Sequence, residues 1–107
     1  MSQPKALDNL YKAITSLKNK EEVRMFLTDL CTPSELTAMA DRWKAVQMLK
    51  LGVSYREIYE KSGVSTATVT RVARCLSSGA GGYKMLLDRL NFKEKSTRKS
   101  TSPSKDA

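Results

Sequence analysis

The chain has no histidine and only two cysteines among its 107 residues, and these absences remove much of the chemistry a small protein can carry. Cys31 and Cys75 stand far apart with no CxxC spacing, so neither a zinc site nor a disulfide framework is expected. Both are read as free thiols, buried or half-buried. Catalysis is not expected either, because no histidine is present and the GAGG run at residues 79–82 lacks the preceding strand and the spacing of a nucleotide-cradling loop. No apolar run of the secretory-signal kind opens the chain. Nothing approaches the roughly 18 consecutive apolar residues that a membrane-spanning helix needs. No membrane partner is therefore expected, and a cytoplasmic location is. Segments that alternate apolar and polar residues in the manner of a strand are also missing, which leaves an all-α chain.

What is present is helical periodicity. Leu7, Leu10, Tyr11, Ile14 and Leu17 recur at helical spacing, and Asn19 with Glu22 predicts a capping box that opens a second helix carrying Val23, Phe26, Leu27 and Leu30. Thr32, Pro33 and Glu35 form a stronger start signal, since the threonine caps, the proline suits the first helical position and the glutamate returns a bond to the cap. The third helix is predicted to run to about Lys50 and to bury Leu36, Met39, Ala40, Trp43, Val46 and Leu49, with Gly52 as its terminator. Ser54 and Glu57 open a fourth helix, and Ser65 or Thr66 caps a fifth. The GAGG run then breaks the chain before YKMLLDRL at 83–90, whose Leu86, Leu87 and Leu90 need a surface to cover.

This gives one domain over residues 1–92 and a tail over 93–107. So short a chain makes a thin core, so dimerisation would help to stabilise it, and the surface under the last helix is expected to include another subunit. The tail, KEKSTRKSTSPSKDA, has no apolar face with which to offset its ordering entropy and is expected to be disordered. It supplies +3 of the formal charge of +8, leaving +5 on the helical part. With a pI near 9.7, the chain suits a polyanionic partner.

Residues 54–76, SYREIYEKSGVSTATVTRVARCL, read as a helix-turn-helix. Ile58, Val64, Val69 and Val72 fall where the two helices must bury their contact, and Gly63 fits the left-handed residue that ends the first helix. Thr66, Ala67, Thr68 and Thr70 then face outward, short enough for the second helix to enter a major groove, with Arg56 on the first helix. Double-stranded DNA is the expected partner. Two other readings stay open: a non-specific, nucleoid-type DNA-binding module using the same charge, and a protein-interaction adaptor built on a helix-turn-helix fold.

The run from Cys31 to Leu76, with its glycine-rich sequel and YKMLLDRL, resembles the Trp repressor superfamily, most closely its YerC/YecD-type branch. The likeness covers residues 5–90 and rests on TPSE at 32–35, Arg42, STATVTRV at 65–72, RCL at 74–76 and the YKMLLDRL ending. It implies a six-helix chain in an intertwined homodimer, in the bacterial cytosol or nucleoid. It further implies a sequence-specific transcriptional regulator, with repression the expected sense, binding a palindromic operator. Arg56 matches the arginine that approaches a guanine edge, and Ser65, Thr66, Ala67, Thr68 and Thr70 match positions near bases or phosphates. Tyr55 and Tyr59 stand where the better-known repressor has polar residues, within the same face. Readout in the Trp repressor relies heavily on ordered water, so few direct base contacts are expected.

The resemblance also locates a candidate effector pocket. Arg42 and Arg71 match the two arginines that hold tryptophan in the repressor, and Thr32 matches a third pocket residue. The position after the second arginine, a glycine there, is Val72 here, and Cys75 replaces a serine. A branched side chain where an aromatic ligand must approach the backbone opposes indole, so any small-molecule corepressor is expected not to be tryptophan. Arg42 and Arg71 could equally hold another small anion, the dimer or DNA phosphates. No metal or other cofactor is expected.

Overall fold

The computed structural model describes residues 3–90; the expected tail at 93–107 lies outside them. Six helices follow in chain order: α1 (Gln3–Thr15), α2 (Lys20–Leu30), α3 (Pro33–Lys50), α4 (Tyr55–Ser62), α5 (Thr66–Ser78) and α6 (Gly82–Arg89). The described residues are thus all-α, with the helix-turn-helix at α4 and α5. None of their helices is long and apolar enough to cross a membrane. The chain forms two compact units, one up to Thr37 and one from Ala38, with the division falling inside α3.

In the first unit the helix starts follow the sequence closely. Asn19 caps α2 by accepting the Glu22 N–H at 2.9 Å, although the Glu22 carboxylate reaches back to the Lys18 N–H rather than to the cap itself. At α3 the exchange is reciprocal: Thr32 Oγ1 accepts from the Glu35 N–H at 3.1 Å, and Glu35 Oε1 accepts from the Thr32 N–H at 2.7 Å. Between these caps Arg24 pairs with Glu21, and its guanidinium holds the Glu21 carboxyl below the usual carboxylate range. No described side chain of α1 or α2 is buried. Leu7, Tyr11, Ile14, Met25 and Leu30 all lie exposed.

The second unit holds the core. Ala45 and Val46 of α3, Ile58 of α4, Val64 in the turn, Val69 and Val72 of α5 and Leu87 of α6 are buried together, with Trp43, Met48, Leu49, Val53, Leu76 and Tyr83 packed against them. The stripe expected along α3 is corrected in part. Met39 and Ala40 are exposed, Leu36, Trp43 and Leu49 are half-buried, and Ala45 is buried instead. Apolar residues are spread around the whole circumference of this helix, so spacing by three and four picks out one of several stripes. The end of α3 is as expected. Gly52, at φ +87°, donates to Leu49 O while Val53 donates to Met48 O, both at 3.0 Å, the paired bonds that close a helix on a left-handed residue.

Candidate nucleic-acid interface

Helices α4 and α5 are built to present one exposed face rigidly. Ser54 caps α4, its Oγ accepting from the Glu57 N–H at 3.1 Å, while the Glu57 carboxylate pairs with Lys61 at 3.1 Å. Gly63 ends the helix at φ +79° and donates to Tyr59 O at 2.8 Å. The turn is then tied by Ser62, whose hydroxyl donates to Ile58 O and accepts from the Val64 N–H at 3.1 Å. Ser65, one of the two expected caps, opens α5 by accepting from the Thr68 N–H at 3.2 Å. Inside this frame Ile58, Val64, Val69 and Val72 are buried as the spacing predicted. Their burial fixes which side chains remain outside.

Outside are Tyr55, Arg56, Tyr59, Ser65, Thr66, Ala67 and Thr70; Thr68 is half-buried rather than fully outward. The hydroxyls of α5 are largely engaged already. Ser65 donates to Thr68 Oγ1 at 3.1 Å, and Thr70 Oγ1 donates to Thr66 O at 2.8 Å. Among the described residues the Thr66 hydroxyl alone in this set makes no hydrogen bond, so it is the one free to meet a phosphate or a water without first breaking a bond. Arg56 is 87% exposed, with Nε donating to Glu60 Oε2 at 3.2 Å.

Arg71 and Arg74 extend the exposed face, Arg71 as an expected candidate for phosphate and Arg74 in a way the motif did not reveal. At helical spacing they continue the line of Ala67 and Thr70, and among the described residues neither is in an ion pair. Unpaired exposed guanidinium groups on one helix face suit phosphate oxygens. Arg74 opens the RCL run at 74–76, and its signal in the sequence is the spacing of 67, 70, 71 and 74 on one face.

The candidate effector residues are distributed differently. Thr32 belongs to the first unit, where its hydroxyl caps α3. Arg42 and Cys75 are half-buried, Arg71 is exposed, and Val72 is 1% exposed as part of the core. Val72 therefore contributes packing among Ile58, Val69 and Leu87. Sequence reasoning did not find the apolar cleft of about 430 Å³ at the α5–α6 turn, where Trp43, Cys75, Tyr83 and Leu86 line an opening. Trp43 stacks on Tyr83 with ring centroids 6.3 Å apart, a contact across forty residues that local periodicity does not encode. Both cysteines are free thiols and half-buried.

Comparison with known proteins agrees with this geometry. Residues 5–91 match the Trp repressor protein family. The chain is 44% identical over 90 residues to the uncharacterized protein YerC of Bacillus subtilis, covering 84% of this chain and 86% of that one. Among solved structures it is similar to a candidate Trp repressor from Staphylococcus aureus, with a TM-score of 0.79 and 43% identity over 84% of this chain and 90% of the other. A TrpR-like protein from Eubacterium eligens superposes with a TM-score of 0.81 and 40% identity, covering 85% and 94% of the two chains.

Proposed function

The chain belongs to the Trp repressor family, whose members are non-catalytic DNA-binding regulators, and from that membership we propose a homodimeric, sequence-specific repressor of transcription. It reads a palindromic operator with one α5 per half-site, the half-sites lying about one helical turn apart. The observation that carries this reading is the outer face of α4 and α5. Arg56, Thr66, Ala67, Thr70, Arg71 and Arg74 lie exposed on two helices whose inner residues are locked in the core. Tyr55, Tyr59 and Ser65 flank them, and half-buried Thr68 stiffens the start of α5. The dimer is supported by α1 and α2, amphipathic helices without a buried described side chain.

Selection from a random duplex pool, with and without candidate metabolites, tests the reading. Enrichment of a two-fold symmetric sequence is expected. A pool from which nothing is enriched, though all of it is bound, establishes the non-specific module in its place.

Tryptophan is not the effector in this reading. Support comes from Val72, which fills the core at the position where the repressor has glycine, and from Cys75 at the position of a serine. Arg42 and Arg71 are left to a smaller anion or to phosphate. Titration calorimetry with tryptophan is expected to give no saturable heat up to millimolar concentration; a binding isotherm in that range or tighter overturns the claim.

A further inference from the structure

Glu60 has no place in the operator-reading face described above, yet it is the residue that Arg56 touches. A guanidinium carries one N–H on Nε and two on each Nη, and it recognises guanine by aiming two of them side by side at O6 and N7. In this structure Nε donates to Glu60 Oε2 at 3.2 Å, and that is the guanidinium's only hydrogen bond among the described residues. The carboxylate thus engages the Nε edge by a single contact and leaves Nη1 and Nη2 unoccupied. Had Glu60 taken both Nη groups it would compete with a base. From Nε it instead restrains the group and leaves the end-on pair available.

An arginine side chain that is 87% exposed otherwise gives up rotamer freedom when it binds, and an arginine with several usable edges can meet several acceptors. We propose that Glu60 is a positioning residue for base readout: by holding Arg56 Nε it offers only the Nη1/Nη2 pair to a guanine edge and so sets discrimination at that base pair. This rests on the reading of Arg56 as a base-contacting residue. Because a carboxylate at the interface also repels phosphates, Glu60 has a second effect of opposite sign. It weakens binding to every sequence while sharpening the choice at one. The neighbouring Glu57–Lys61 pair on the same helix carries the same charge without touching Arg56, and provides the control.

The test uses the full chain and its selected operator, with each base pair of one half-site substituted in turn and random duplex as reference, at one fixed ionic strength. Arg56→Ala identifies the base pair that becomes indifferent. Glu60→Ala is expected to lose about two- to ten-fold of the discrimination at that same base pair, while random-duplex affinity holds or tightens. Glu60→Gln removes the same charge but keeps an acceptor oxygen, so it should shift random-duplex affinity equally and retain part of the discrimination. Glu57→Gln should leave discrimination whole, and in the Arg56→Ala background Glu60→Ala should change overall affinity without changing discrimination at any base pair. Circular dichroism checks that each variant keeps its helices, since an exposed i,i+4 pair contributes little to them.

Full discrimination in Glu60→Ala, or a loss confined to base pairs other than the one Arg56→Ala makes indifferent, overturns the proposal while leaving Arg56 in place. Intact discrimination in Arg56→Ala overturns the base-reading role of Arg56 itself, and the proposal with it.

Discussion

The two units of this chain spend similar sequences of amphipathic helix on opposite ends. From Ala38 onward, short helices bury Ala45, Val46, Ile58, Val64, Val69, Val72 and Leu87 against one another. Up to Thr37, α1 and α2 carry as regular a spacing of leucine, isoleucine and tyrosine and bury none of their described side chains. Periodicity therefore shows that a helix has an apolar side, and says nothing about whose surface covers it. The second unit buries the inner faces of α4 and α5 within itself, while Met85, Leu86 and Leu90 at its end stay exposed. The first, in the proposed dimer, is satisfied by another copy.

That contrast can be broken most directly from the first unit. Replacing Leu7 and Ile14 by glutamate removes two apolar side chains from the proposed dimer surface, each contributing about 1.5–3 kcal/mol on burial. A fall from dimer to monomer by sedimentation is the expected result, and an unchanged mass would place the dimer surface elsewhere. Ile58→Ala attacks the other side of the contrast: a fully buried isoleucine cut to alanine should cost about 2–5 kcal/mol in urea unfolding. Gly63→Ala should cost about 1–2 kcal/mol through its positive φ alone, since an added Cβ meets nothing within 4 Å. Ser65→Ala should cost about 1 kcal/mol as a lost cap. If operator affinity falls by more than this loss of stability explains, the Ser65 hydroxyl serves DNA as well as the helix.

Much of this organisation was legible in the sequence because it is local. The caps at Asn19, Thr32, Ser54 and Ser65, the terminators Gly52 and Gly63, and the buried valines of α5 each depend on residues within a turn or two of one another. The helix-turn-helix face followed from the same spacing. What was not legible depends on distance along the chain or on the number of faces available. Spacing assigns Met39 and Ala40 to the core because the apolar residues of α3 are scattered around the helix among charged ones, and spacing cannot choose among the resulting faces. The Trp43–Tyr83 stack and the cleft beside it join residues forty positions apart. That the hydroxyls of Ser65 and Thr70 are already bonded within α5 could not be inferred from residue type, which shows that a hydroxyl is present but not whether it is free.

Helices with no interior of their own also couple the regulator to its rate of supply. In the proposed dimer every newly made subunit carries Leu7, Tyr11, Ile14, Met25 and Leu30 uncovered until it meets a second, and a chain in that condition is open to proteases and to aggregation. Under that proposal, subunits made slowly would wait alone and be cleared, and above a threshold they would pair and persist. The occupancy of DNA by the proposed dimer would then rise more steeply than its expression, a property residing in α1 and α2 and not in the proposed DNA-facing helices.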